Sequence, residues 1–200
     1  MSFLYPPRPE NAIIPDHLSM FNSMGYSAEY KKNGTCSVIE YDDGSLTAWT
    51  RHNTQHKLWR PDINSPSLRK LKTLKEDTLL VGELLHSKGV GHTDTLYLFD
   101  ILKVNGVPLI GKSLSFRRDV LLNLWEVKGE DYSHYFVDDR LWIAKPFFSG
   151  FKQAFDSITK IEDEGLVLKD PNAILMPCFK DGSNSGWQVK CRKPTKNYSF

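Results

Sequence analysis

Short apolar runs with period-two alternation dominate this chain. Cys36-Ser37-Val38-Ile39-Glu40-Tyr41 and Ser45-Leu46-Thr47-Ala48-Trp49-Thr50 flank Asp42-Asp43-Gly44. That turn supplies the glycine a tight reversal needs, so the pattern predicts a β-hairpin over 36–50. Residues 78–85 and 95–102 are apolar enough to be strands, joined by a loop containing Gly and His. From Ser115 to Trp125 the spacing turns helical, through Phe116, Val120, Leu121 and Leu124, with Asp119 on the polar side. A second helix is expected over 151–161 through Phe155, Ile158 and Ile161, and a short one near Ile14-Pro15-Asp16-His17 leading into Leu18, Met20 and Phe21. Glu164 to Lys169 and Gly186 to Arg192 read as closing strands. Hairpins, helices and returning strands predict an α+β fold of mainly antiparallel sheets flanked by helices. No repeat or low-complexity linker divides the chain. The expectation is a single domain over 1–200, with the proline-rich 1–27 as an N-terminal extension packed on it.

Composition narrows the class. Two hundred residues, 40% hydrophobic and 25% charged, suit one soluble domain with a normal core. No run approaches the ~18 apolar residues of a membrane span, and the N-terminus lacks a basic region followed by an apolar one. No membrane partner is expected. Cys36, Cys178 and Cys191 are odd in number and widely spaced, which argues against a disulfide framework or a zinc cluster. His52 and His56 lie in a polar segment without a metal-binding pattern. The expected location is cytoplasmic. The net charge of +2 is unevenly spread. Lys103, Lys112, Arg117 and Arg118 form one acid-free stretch; Lys190, Arg192, Lys193 and Lys196 form another. Such patches suit a phosphate-rich ligand.

Candidate chemistry follows a fixed order. Lys31-Lys32-Asn33-Gly34 is a K-x-x-G tetrapeptide just ahead of the hairpin, read as placing Lys31 on a tight turn. Thr50-Arg51, Gly82-Glu83, Leu98-Phe99-Asp100, Glu164-Gly165-Leu166-Val167-Leu168-Lys169 and Lys190-Cys191-Arg192 come after it. A lysine nucleophile needs a neutral amine, which nearby cations and a metal favour. Paired carboxylates near phosphates can hold Mg²⁺. Lys190 and Arg192 alternate along a strand and so share a face.

The order and spacing resemble the covalent nucleotidyltransferase superfamily of ATP-dependent DNA ligases, RNA ligases and mRNA capping enzymes. The resemblance covers nearly the whole chain. It implies the ligase-type nucleotidyltransferase fold, here without a C-terminal OB-fold. It implies Lys31 as nucleophile towards the α-phosphorus of ATP. Glu29 would accept from the adenine amino group, Arg51 would contact ribose and phosphate, and Phe99 would stack on the base. Glu83 and Glu164 would hold the metal, with Glu83 also a candidate for the ribose hydroxyls. Lys190 and Arg192 would bind the α-phosphate and help expel pyrophosphate. Lys103, Lys112, Arg117, Arg118, Lys193 and Lys196 would contact strand phosphates. The implied cofactors are ATP and Mg²⁺, with Mn²⁺ as a substitute. The implied partner is nucleic acid with 5′-phosphate and 3′-hydroxyl ends.

Several positions depart from the pattern. Cys36 stands where DNA ligases usually carry arginine, Asn33 where aspartate is common, and Arg192 where lysine is usual. Eight residues follow Arg192, so an accessory domain or protein would replace the OB-fold. Cys36 and the missing OB-fold tilt the expectation slightly towards RNA-containing strands. The alternatives are a nick-sealing DNA ligase, a GTP-dependent capping guanylyltransferase, and a non-catalytic nucleic-acid-binding subunit. A small stand-alone ligase would suit a phage or virus, acting in the host cell cytoplasm.

Overall fold

In a computed structural model, the described residues are 3–57, 66–74, 77–85, 94–159 and 163–194. Their strands form two sheets with a cavity between them. The smaller sheet holds β1 (Ser27–Lys32), β10 (Asp163–Lys169) and β11 (Gln188–Arg192), in the order β1-β10-β11 and antiparallel throughout. The larger sheet runs β3 (Ser45–Thr50), β2 (Thr35–Asp42), β4 (Thr78–Leu85), β5 (Thr95–Val104), β9 (Leu141–Ala144), β8 (His134–Asp138), β7 (Gly129–Glu130). A two-residue strand, β6 (Val107–Pro108), pairs with β5. Among the described strands, only β5 and β9 pair in parallel. The fold is thus α+β, mostly sheet with few helices.

The expected hairpin is β2–β3. Asp43 and Gly44 both take positive φ, the turn that matches strand twist. β4 and β5 read as continuous apolar runs because both faces of their sheet are covered. Ile39, Leu80, Leu98 and Ile101 face a core with Leu71, Leu121 and Trp125. Val38, Leu79, Val81 and Leu102 face another with Leu4, Leu175 and Cys178. The outer face of the small sheet packs Ala28, Leu166, Leu168 and Cys191 against Leu18, Phe21, Phe151 and Phe155. These aromatic and aliphatic groups come from α1 (Leu18–Ser23) and α3 (Phe151–Asp156). The second expected helix is shorter than its pattern; Ile158 lies beyond its end and Ile161 outside the described residues. No helix of the described residues is long and apolar enough to cross a membrane.

Helix α2 (Leu114–Leu122) corrects the expected face. Phe116 is exposed, while Arg117 and Arg118 are buried beside Leu114 and Leu121. Ser113 caps the helix by accepting from the Phe116 N–H at 3.2 Å. Arg117 grips Asp100 of β5 with two bonds, Nε to Oδ1 at 2.8 Å and Nη2 to Oδ2 at 2.9 Å, and donates to the Lys112 carbonyl. Arg118 pairs with Glu29. Lys103 is buried and pairs with Asp77 at 2.6 Å. Three of the four cations in the first basic stretch therefore serve the interior, and the expected strand-phosphate role of Lys103, Arg117 and Arg118 is corrected. Lys112 is exposed, its ammonium 5.1 Å from the Phe116 ring. Lys193 lies 4.6 Å from the Phe155 ring, and Lys196 is outside the described residues.

Removing one partner from a buried pair leaves an uncompensated charge, at a loss of about 3–5 kcal/mol. Arg117→Met should therefore lower unfolding free energy by about that much in urea denaturation. A loss below about 1 kcal/mol would contradict the interior role of Arg117.

Candidate active site

Lys31 is not on the turn. It is the penultimate residue of β1, and the reversal falls at Asn33-Gly34. The pairing of β1 with β10 shifts between Lys31 and Lys32, so the two lysines go to different surroundings. Lys32 is buried, bonded to Asp163 at 2.7 Å and to Ser133 Oγ at 3.1 Å. Lys31 meets Glu164 Oε2 at 2.5 Å in the cavity wall. Gly34 allows the turn to lie on β4, since a Cβ there would stand 2.4 Å from the Leu84 carbonyl oxygen.

The cavity measures about 590 Å³, within the usual range of a small-molecule site. All eight residues expected at a nucleotide site line it: Glu29, Lys31, Arg51, Glu83, Phe99, Glu164, Lys190 and Arg192. Strand register explains the convergence. Glu29, Val167 and Lys190 form one cross-strand row of the small sheet, and Lys31, Gly165 and Arg192 form the next. The glycine between Lys31 and Arg192 keeps that row open above the sheet. Its φ is +151°, and a Cβ would sit 2.0 Å from the Cys191 carbonyl oxygen. Across the cavity, Cys36, Glu83 and Tyr97 form a row of the larger sheet.

The charges are arranged unevenly. Glu164 receives Lys31 and also Arg192 Nη2 at 3.2 Å. Burial pushes the Glu83 carboxyl up to about 7; Glu164 adds to the rise, and Lys31, the Gly34 N–H and Arg51 hold it down. Lys190 donates to the Pro9 and Glu10 carbonyls at 3.1 and 3.2 Å. Burial and then Lys31, Arg192, Arg51 and Arg8 lower its ammonium's proton affinity. Burial also pushes the Cys36 thiol up to about 12, so it is no thiolate. Arg51 donates to His52 Nε2 at 3.0 Å.

Glu29 is the most deeply held of these carboxylates. It bonds Lys169 Nζ at 2.5 Å through one oxygen and Arg118 through the other. Burial opposes its charge, but the two cations win and hold its carboxyl below the usual range. A carboxylate has about four acceptor positions, so two cations leave room for another donor. Lys169 also lies 4.7 Å from the Phe99 ring centroid, which fixes that ring from beneath by a cation–π contact.

Among the described residues, no group of three or more His, Cys, Asp and Glu could hold a metal alone. Glu83 and Glu164 fit a weaker demand. Two hard carboxylates, one of them with raised proton affinity, suit an Mg²⁺ whose other ligands are phosphate oxygens and water.

The sequence reading missed several wall residues. Val167 and Lys169 follow Gly165 at strand spacing, so alternation within the EGLVLK segment places them on the cavity face. Gln188 shares the face of Lys190 for the same reason. Pro7, Arg8 and Pro9 come from the N-terminal segment, and no sequence signal marks them.

No protein-family model matches the chain, and no curated protein sequence does. Solved structures do match. Mycobacterial DNA ligase D complexed with ATP and MES aligns with a TM-score of 0.68 at 19% identity, over 94% of this chain and 60% of that one. The Lig E DNA ligases give 0.57 at 15% identity, over 94% and 69%. The ATP-dependent DNA ligase of bacteriophage T7 in complex with ATP gives 0.56 at 18% identity, over 93% and 68%. The fold is that of the nucleotidyltransferase domain of ATP-dependent DNA ligases. It is the fold that the sequence resemblance implied. The chain spans about 60% of the length of the ligase D structures it matches.

Glu83 gives a test with a definite sign. Its folded proton affinity lies above the ordinary value of 4.5, so the folded protein keeps a proton that the unfolded chain releases between pH 4.5 and 7. Its contribution to stability is therefore present below pH 4.5 and lost as pH rises through 7. Glu83→Gln removes that loss. At pH 8 the variant should exceed the parent by about 1–3 kcal/mol in urea unfolding, a gain that shrinks at pH 5. An equal difference at both pH values would contradict the burial account.

Proposed function

We propose that this chain is an ATP-dependent polynucleotide ligase that works through a lysyl-AMP at Lys31 and joins a 3′-hydroxyl to a 5′-phosphate. The observation that supports it most is the convergence of eight separated motif residues on one cavity, with Lys31 Nζ in its wall. The Lys31 Nζ lone pair attacks the α-phosphorus; the α-phosphorus–oxygen bond to the β-phosphate breaks; pyrophosphate leaves. The attacking amine must be neutral, so the Lys31–Glu164 pair has to open and the ammonium proton go to solvent. Arg192, bonded to the same carboxylate, would take the charge of the α-phosphate. Glu83 and Glu164 would hold a divalent ion, and the chemistry it would supply is screening of the triphosphate charge. A 5′-phosphate oxygen then displaces Lys31 from AMP, and the 3′-hydroxyl displaces AMP from the strand.

Adenine is favoured over guanine if Glu29 meets the base at position 6, where adenine carries an amine that can donate to a carboxylate and guanine a carbonyl oxygen that cannot. The solved structures that support the fold are DNA ligases, and nicked DNA therefore takes first place over the RNA-containing strands that the sequence suggested. The reading includes an accessory domain or protein that clamps the strand, because those chains extend beyond the shared region.

With Mg²⁺ and ATP, the chain should seal a nicked all-DNA duplex. GTP should not replace ATP, and Lys31→Ala should abolish sealing. Sealing confined to RNA-containing nicks would reverse the order of substrates. Sealing by Lys31→Ala would overturn the mechanism.

A further inference from the structure

The N-terminal segment is tied to the cavity by the strand that carries Lys190. Ile13 N–H donates to the Lys190 carbonyl at 2.9 Å, and Lys190 N–H donates to the Asn11 carbonyl at 3.0 Å. Tyr5 N–H donates to the Cys178 carbonyl at 2.7 Å. This anchoring brings Arg8 into the cavity wall. Arg8 meets Glu10 at 3.3 Å and Asp181 at 3.4 Å, two long pairs whose acids are partly exposed. Exposed pairs of this kind hold an arginine weakly. Its Nε is buried and has no hydrogen-bond partner among the described residues. A buried donor without an acceptor is a standing deficit, which a ligand oxygen would relieve.

We infer that Arg8 is a phosphate-binding residue of the lysine-charging step, taking the β- and γ-phosphates of ATP rather than the reacting α-phosphate. The inference rests on the ligase reading above. Lys31, Glu164 and Arg192 already form the reacting end, around Gly165. Arg8 pairs with Glu10 and Asp181 instead of with Glu164. Pyrophosphate is the leaving group, and its charge grows as the bond to the α-phosphorus breaks. A guanidinium at that end favours departure. Residues 7–10 thereby become part of the charging site.

The test separates charging from sealing. In the full chain, Arg8→Ala should raise the ATP concentration needed for lysyl-AMP formation by about tenfold or more. It should weaken pyrophosphate-driven release of the adduct by a similar factor. Sealing of a nick that already carries 5′-adenylate should stay within about twofold, because no pyrophosphate takes part in it. Arg8→Lys should recover part of the loss. Unchanged responses to ATP and pyrophosphate would overturn the inference, as would a loss confined to sealing, which would assign Arg8 to a strand phosphate. A parent chain that forms no adduct would contradict the ligase reading instead. Calorimetry with inorganic pyrophosphate then still decides the matter: weaker binding by Arg8→Ala supports the inference, and equal binding overturns it.

Discussion

Glu29, clamped between Lys169 and Arg118, is the interaction on which the rest of this structure depends. Its three members come from β1, β10 and α2. α2 in turn is bolted to β5 of the larger sheet by Arg117 and Asp100. One buried carboxylate thus links the small sheet, the helix and, through it, the large sheet. Burying two cations beside one anion costs less as more of their donors find acceptors. Ser27 Oγ takes one Arg118 bond at 2.9 Å and the Phe99 ring faces the Lys169 ammonium, while Arg118 Nε has no hydrogen-bond partner among the described residues. The cavity floor therefore carries excess positive charge before any ligand arrives.

That floor has a chemical consequence. The small sheet is two-faced. Its outer side chains are apolar and seat α1 and α3, while its inner ones are Glu29, Lys31, Val167, Lys190 and Arg192. Strand alternation alone enforces this division. Strands, rather than loops, hold Lys31, Glu164, Lys190 and Arg192, an arrangement that under the proposed mechanism would present an amine in line with a phosphorus. The glycines at 34 and 165 serve the same end, because each lets one backbone approach another more closely than a side chain would permit.

Much of this was legible in the sequence, for identifiable reasons. The β2–β3 hairpin declared itself through alternation and Asp43-Gly44, and β4 and β5 through apolar runs buried on both faces. β1 escaped because its buried positions include Glu29 and Lys32, which look like surface charges until their partners are known. The register of α2 escaped for a similar reason: Asp100 and Glu29 are 17 and 89 residues from the arginines they pair with. β8 and β9 are only five and four residues long, too short for a period to show. The motif residues of the site were readable because each belongs to a spaced series. Arg8 belongs to none; the backbone bonds of residues 11–13 with Lys190 and of Tyr5 with Cys178 bring it to the cavity.

The central claim is that Lys31, and not its buried neighbour Lys32, is the group the cavity makes reactive. Peptide mass spectrometry on the chain after incubation with ATP and Mg²⁺, kept at neutral pH to preserve a phosphoramidate, tests it most directly. The account predicts a single AMP on the Lys31 side chain and none on Lys32. An AMP on Lys32, or on a lysine outside the cavity, would contradict it.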